Sequence, residues 1–274
     1  MKSSFAHLRV SSEYSIFKGL LSVEKLVEKA KSFGMPAIAL TDHSNMFGLV
    51  KFFKKCEKEG IKPISGSTLN IARSSEDRPY EFLCLAKNID GHKNLMHGLS
   101  KASRNQSKSV IYDDFLNICN DIFVITGCEN SEIFSLILND KENEAVELIE
   151  KYKADFKNNF VIEIQNTGKE SHKIFMASIL PIASRLSIPV IATNDVLFGE
   201  REDFEIHETK VCINSGKTLN DPNREKIYSE EQYFKSQDEM QDLFGDFPDV
   251  LSNTLEIAKQ CNLCIEPVSY THLT

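Results

Sequence analysis

A chain of 274 residues is long enough for one large domain with a sizeable core, or for two small ones. Hydrophobic residues make up 41% and charged residues 26%, an ordinary globular composition, and the formal net charge is −8. That balance excludes a chain whose main work is to clamp a phosphate backbone, because such grip comes from Lys and Arg displacing counterions. No stretch reaches the roughly 18 consecutive apolar residues of a membrane span. Met1-Lys2-Ser3-Ser4 leads into a strand-like run without an apolar signal core, so the expected location is cytoplasmic.

The run Phe5–Val10 reads as a first strand. Ser22 offers a helix cap, and Val23, Leu26, Val27 and Ala30 follow at helical spacing until Gly34 and Pro36 stop the helix. Ala37-Ile38-Ala39-Leu40 is continuously apolar, as a strand buried on both faces should be. A helix is expected from about Gly48 to Glu59, closed by Gly60, and Lys62-Pro63-Ile64 opens the next strand. Strands follow at 81–86, 122–126, 160–164 and 189–193, with helices at 92–103, 139–156 and 171–186 between or after them. From about Arg201 the chain turns mostly helical, with a last helix carrying Val250, Leu251, Leu255, Ile257 and Ala258.

Strand-then-helix repetition implies parallel strands wrapped by helices. About seven passes favour a closed or nearly closed barrel, an open doubly wound sheet being the alternative. The stretches 74–79 and 104–107 are the most loop-like interruptions, and neither looks like a domain linker, so residues 1–267 read as one domain.

Seven scattered cysteines fit reduced, buried thiols better than a disulfide framework. Cys261 and Cys264 form a lone C-x-x-C without a second ligand pair, so they read as plain thiols near a helix end. Lys51, Lys54, Lys55 and Lys58 read first as a solvated helix face and second as a DNA-facing patch. Residues 268–274 break the helical pattern and resemble the translation of a sequencing adaptor, which suggests an artificially cut reading frame and a longer natural protein.

In a parallel barrel the chemistry gathers at the C-terminal ends of the strands. This chain places there Arg9 and Ser11, with His7 just before, then Thr41, Asp42 and His43, then Ser67 and Thr68, then Cys128, and then Asn194 and Asp195. Glu81 opens a strand, and His207 lies in the helical region beyond. By residue type alone, His7, His43, Asp195 and His207 are a candidate ligand set for zinc, iron or manganese acting on a phosphate ester. Asp42 and Asp195 have a plainer reading as helix caps.

A series of motifs is more specific. His7-Leu8-Arg9-Val10-Ser11, Ala39-Leu40-Thr41-Asp42-His43, Gly60-Ile61-Lys62-Pro63-Ile64-Ser65-Gly66, Leu85-Ala86-Lys87-Asn88, Ala192-Thr193-Asn194-Asp195 and Asp203-Phe204-Glu205-Ile206-His207 occur in this order. Together they resemble the PHP (polymerase and histidinol phosphatase) family, in the branch that forms the N-terminal domain of bacterial replicative DNA polymerases, the polymerase III alpha subunits. The resemblance runs from about residue 5 to 267. It implies a distorted (βα)7 barrel of the PHP type, with parallel strands, outer helices and a helical C-terminal region.

In active members of that family, His and carboxylate side chains hold several metals and hydrolyse phosphoesters. Carried over position by position, the ligands fall at Arg9, Ser11, His43, Thr68, Glu81, Cys128, Asp195 and Leu197. Only His43 and Asp195 keep a clear ligand of the original kind, and the match at Glu81 is loose. The resemblance therefore implies a vestigial site with no bound metal and no catalytic residue. Arg9 near Asp195 or Glu81 is expected to form an ion pair that fills the vacated space. It also implies Mg²⁺ held by a polymerase domain outside this stretch and DNA gripped mainly there. The partners would be the palm and thumb of the same natural chain, a proofreading exonuclease subunit and other replicase subunits. The rival readings are an active PHP phosphoesterase or 3′–5′ exonuclease, and a stand-alone phosphatase of the histidinol phosphate type.

Overall fold

Helix α1 (Val23–Ser32) starts where the sequence places its cap: the Ser22 side chain accepts from the Lys25 amide. In the computed structural model, which describes residues 5–105 and 107–265, β1 (Ala37–Leu40) and α2 (Leu49–Glu59) follow. The adaptor-like stretch expected at 268–274 lies outside the described residues. Gly60 ends α2 at φ +71°, a conformation that costs glycine least.

The chain continues through β2 (Lys62–Ala72), β3 (Tyr80–Ala86), α3 (Ile89–Arg104), the short β4 (Val110–Ile111), α4 (Tyr112–Leu116) and β5 (Ile122–Thr126). Then come α5 (Glu132–Leu138), α6 (Glu142–Phe156), β6 (Phe160–Gln165), α7 (Glu170–Arg185) and β7 (Val190–Thr193). Helices α8 (Phe204–Ser215), α9 (Gln237–Phe244) and α10 (Pro248–Gln260) end the described chain. Residues 217–236 between α8 and α9 form no helix, so the C-terminal region is less helical than the sequence suggests.

The strands pair in the order β1-β2-β3-β5-β6-β7, with β4 beside the outer end of β2. The N-terminal segment joins the two edges. Ala39 and Thr41 donate to the His7 and Val10 carbonyls on one side, and on the other the Ser11 amide donates to the Val196 carbonyl and the Val196 amide to the Arg9 carbonyl. This is the distorted barrel that the motifs imply.

One strand departs from the expected parallel arrangement. β3 runs antiparallel to both β2 and β5. The connection at 73–79 carries no helix, and without a crossover the chain can only turn back beside the strand it has left. The reversal brings the start of β3, Tyr80–Glu81, to the same end of the barrel as the C-terminal ends of the parallel strands.

Alternation sorts the strand residues into two layers. Ala37, Ala39, Ile64, Leu83, Leu85, Phe123, Ile125, Val161 and Ile191 face inward and pack with Ile257 and Ala258 of α10 and with Cys261 just after it. Their neighbours along the strands pack outward against the helices. Helix α10 covers the opposite end from Glu81: Asn253 donates to the Val190 carbonyl at the start of β7, and the Asn262 amide to Lys87 just past β3.

Candidate functional site

At the open end of the barrel the strands deliver charged groups into an otherwise apolar interior. β6 supplies Glu163, which shares the inward face with Val161 and has no solvent exposure. The N-terminal segment supplies Arg9, only 4% exposed. The Arg9 Nε donates to Glu163 Oε2 at 2.9 Å and Nη2 to Oε1 at 2.5 Å, a two-pronged contact that fixes both planes. Thr193 of β7 donates its hydroxyl to Glu163 Oε2 at 2.7 Å, and Gln165 donates to Thr193 at 3.2 Å.

Glu81 forms the second half of the cluster. Lys18 Nζ lies 2.8 Å from its Oε1, Arg9 Nη1 3.7 Å from its Oε2, and His43 Nδ1 3.8 Å from its Oε1. Burial opposes charge on Glu81, but Lys18, Arg9 and His43 outweigh it and hold its pKa down at about 2. For Arg9, burial is likewise overcome by Glu163, which raises its pKa further. His43 is pushed down to about 4, by burial first and by the positive charge of Lys18 next.

Asp195 follows β7 in a left-handed conformation, φ +47°, which aspartate tolerates better than most side chains. It accepts from Gln232 Nε2 at 2.8 Å, and burial raises its pKa against the pull of Arg9 and Lys18. Gln232 comes from the irregular stretch after α8. With Ile227 and Tyr228 it lines a cavity of about 230 Å³ whose other walls include Arg9, Lys18, Glu81 and Asp195.

The remaining positions have structural partners. The Ser11 amide bonds the Val196 carbonyl, and the Thr68 hydroxyl lies 3.4 Å from the Thr41 carbonyl. Cys128 Sγ is 4.0 Å from Glu81 Oε2, and burial pushes its thiol pKa up. Leu197 is fully buried, with its backbone bonded to Gln232 and Leu20. Asp42 is not a helix cap. It accepts from the Ser12 amide and hydroxyl and the Ser15 hydroxyl at 2.6–2.8 Å, tying the loop after the first segment to the end of β1. Asp195 caps no helix either, since α8 begins after Asp203.

The residue-type ligand set does not assemble. His7 bonds the Lys235 carbonyl and packs between Phe5 and Phe234, while His207 bonds the Lys18 carbonyl and packs on Phe198 and Tyr228. Among the described residues, no group of three or more His, Cys, Asp or Glu side chains is placed to hold a metal ion. The carboxylates that do converge, Glu81 and Glu163, are engaged by two side-chain cations. This donor set does not fit a multi-metal cluster.

Sequence reading missed Glu163, Lys18 and Gln232. Glu163 had a visible signal: it is the one charged residue in an apolar strand, and a buried charge demands a partner. Lys18 and Gln232 sit in irregular segments with no periodicity to aim them.

The family model described as PHP domain matches residues 7–167. The DNA polymerase III subunit alpha of Pseudomonas aeruginosa is 39% identical over 275 residues, covering 98% of this chain and 23% of that protein. The protein of that name from Escherichia coli K12 is 36% identical over 271 residues, covering 97% and 23%. The chain thus spans 23% of the length of these relatives. Among solved structures, a two-domain protein from Bacteroides vulgatus containing a predicted PHP-like metal-dependent phosphoesterase aligns over 92% of this chain and 63% of that one. Its identity is 15% and its TM-score 0.46. With the family model covering more than half of its residues and the family's motifs arrayed around one barrel end, the chain belongs to the PHP domain family.

Proposed function

We propose that this chain is the PHP domain at the front of a replicative DNA polymerase of the polymerase III alpha type, serving as scaffold and docking surface and not as a hydrolase. The observation that carries this reading is the Arg9 fork on Glu163, with Glu81 alongside and Lys18 beyond it. A guanidinium stays charged at every working pH and repels a metal cation from the carboxylates it engages. Arg9, Ser11, His43, Thr68, Glu81, Cys128, Asp195 and Leu197 are then vestigial ligand positions, none of them catalytic. The relatives named DNA polymerase III subunit alpha support the polymerase context.

On this reading, nucleotide transfer and its Mg²⁺ belong to a separate polymerase core, together with most of the DNA contact. The palm and thumb of that core and a separate proofreading exonuclease subunit are the partners, and the setting is the cytoplasm. A membrane plays no part in this reading, and no described helix is long and apolar enough to cross one.

The test is elemental analysis of the chain purified free of metal and then back-loaded with Zn²⁺ and Mn²⁺, alongside a phosphoester hydrolysis assay. The expected result is less than one equivalent retained after gel filtration and no metal-dependent hydrolysis. Two tightly held cations, with hydrolysis lost in both His43→Ala and Asp195→Ala, would overturn the reading in favour of an active phosphoesterase.

A further inference from the structure

On the outer wall of the barrel, the loop joining β2 to β3 meets α4, α5 and α6 around a cavity of about 160 Å³. Its floor is aromatic. Phe82, Tyr112 and Tyr152 are buried there, and the two tyrosine rings stack at 5.9 Å with 27° between their planes. Both hydroxyls are already used, that of Tyr112 on Asp155 at 2.8 Å and that of Tyr152 on Glu132 at 3.4 Å.

Three cations line the wall: Arg73, Arg78 and Lys151. Arg73 donates to Glu132 at 2.6 Å, which fixes it. Lys151 Nζ stands 4.7 Å from the centre of the Tyr112 ring. Among the described residues, neither Lys151 nor Arg78 meets a carboxylate. The lining carboxylates are Asp77 and Glu132, and Glu132 is committed to Arg73 and Tyr152. The loop is longer than pairing requires, since two residues suffice to connect antiparallel strands. Its extra length, turned at Ser74 by bonds from the Asp77 amide to the carbonyl and the Glu76 amide to the hydroxyl, brings Arg78 to the cavity.

We propose that this cavity binds a phosphate monoester, with the Arg78 guanidinium and the Lys151 ammonium as its direct ligands and Arg73 as a fixed neighbour. Two cations without an ion-pair partner among the described residues, in a lining of net charge +1, attract a group that carries about −1.5 to −2 charges near neutral pH. A guanidinium fork matches two of its oxygens at once. The aromatic floor keeps water from one side, which strengthens both contacts. Three cations against two carboxylates leave one net positive charge in the lining, and this with the small volume suits a single oxyanion and not a run of DNA phosphates. The proposal is independent of the function inferred for the barrel end.

Isothermal titration of the whole chain with inorganic phosphate, deoxyadenosine 5′-monophosphate and deoxyadenosine tests it. Saturable binding near ~1 mM is expected for the two phosphate ligands and none for deoxyadenosine. Arg78→Ala and Lys151→Met should each weaken binding about tenfold, and Lys93→Ala, an exposed site elsewhere, should not. Both side chains are exposed, and melting curves verify that the variants keep the fold. Tighter binding of the nucleotide identifies a nucleotide site, and equal affinity a site for free phosphate; either supports the proposal. No saturation by either phosphate ligand, unchanged affinity in both variants, or equal binding of deoxyadenosine overturns it.

Discussion

Arg9 and Glu163 meet almost wholly shielded from water, and their energetics are those of a buried pair. Removing one partner strands the other charge in a low-dielectric interior, at a cost of about 3–5 kcal/mol. Replacing both with apolar side chains removes the charge and its desolvation together. Urea unfolding of Arg9→Met, Glu163→Leu and the double variant should therefore show a double-variant loss well below the sum of the singles. Additive losses would mean the pair is not coupled as its geometry requires. Buried histidines set a second residue-scale expectation. His7 and His43 both have pKa values of about 4 in the fold, against 6.5 for an ordinary histidine. As pH falls below 6.5, the unfolded chain takes up protons that the folded chain refuses. Their stabilisation is thus complete above 6.5 and lost between 6.5 and 4, by up to about 3 kcal/mol for fully buried His7 and less for partly exposed His43. Glu81, held at about 2, adds a further loss in the same direction below 4.5. The urea midpoint should fall steadily from pH 7 to 4, and His7→Gln should flatten that slope by about one proton.

Elements were legible wherever a local rule set them. Ser22 and Gly60 end their helices as the sequence suggests, because a cap hydrogen bond and a left-handed turn depend on one or two residues. The direction of β3 does not follow from any pattern within Tyr80–Ala86; it is set by the helix-free connection at 73–79, a loop that is visible in the sequence although its effect on strand direction was missed. Helix α5 was missed because it is short and almost wholly apolar, so the spacing of its buried Ile133, Phe134 and Ile137 does not stand out, although Ser131 does cap it, accepting from the Phe134 amide. At the barrel end, the retained motif residues could be placed by resemblance, and Glu81 does lie within ion-pair reach of Arg9 as expected, but the closer partner, Glu163, lay on a strand that resemblance did not mark. Two glycines separate local from tertiary demands. A Cβ on Gly127, at φ +129°, would sit 2.2 Å from the Glu163 carbonyl oxygen, whereas at Gly60 nothing lies within 4 Å. Gly127→Ala should cost more than about 2 kcal/mol and disturb the Arg9 pair behind it. Gly60→Ala should cost only about 1 kcal/mol, from backbone strain alone. Equal losses in thermal melts of the two variants would contradict this distinction.

At the scale of the whole molecule, the N-terminal segment is the seam of the barrel. It links β1 to the chain just after β7 and brings Arg9 to Glu163. The seam amides, those of Ser11, Ala39, Thr41 and Val196, should therefore exchange only through global unfolding. Hydrogen exchange should rank them with the central strands β5 and β6 and not with chain ends. Fast exchange at these four, with β5 and β6 protected, would show the barrel opening at its seam. That seam has a consequence for synthesis. Val10 bridges to Val196, so the N-terminal segment, which forms no strand of its own although the sequence suggests one, must wait for almost two hundred further residues before its second neighbour exists. At translation speeds of about 5–20 residues per second, the delay is roughly ten to forty seconds. Throughout it Phe5, Leu8 and Val10 are without part of their final shelter, and a nascent chain in that condition is a client for whatever holds hydrophobic segments at the ribosome exit.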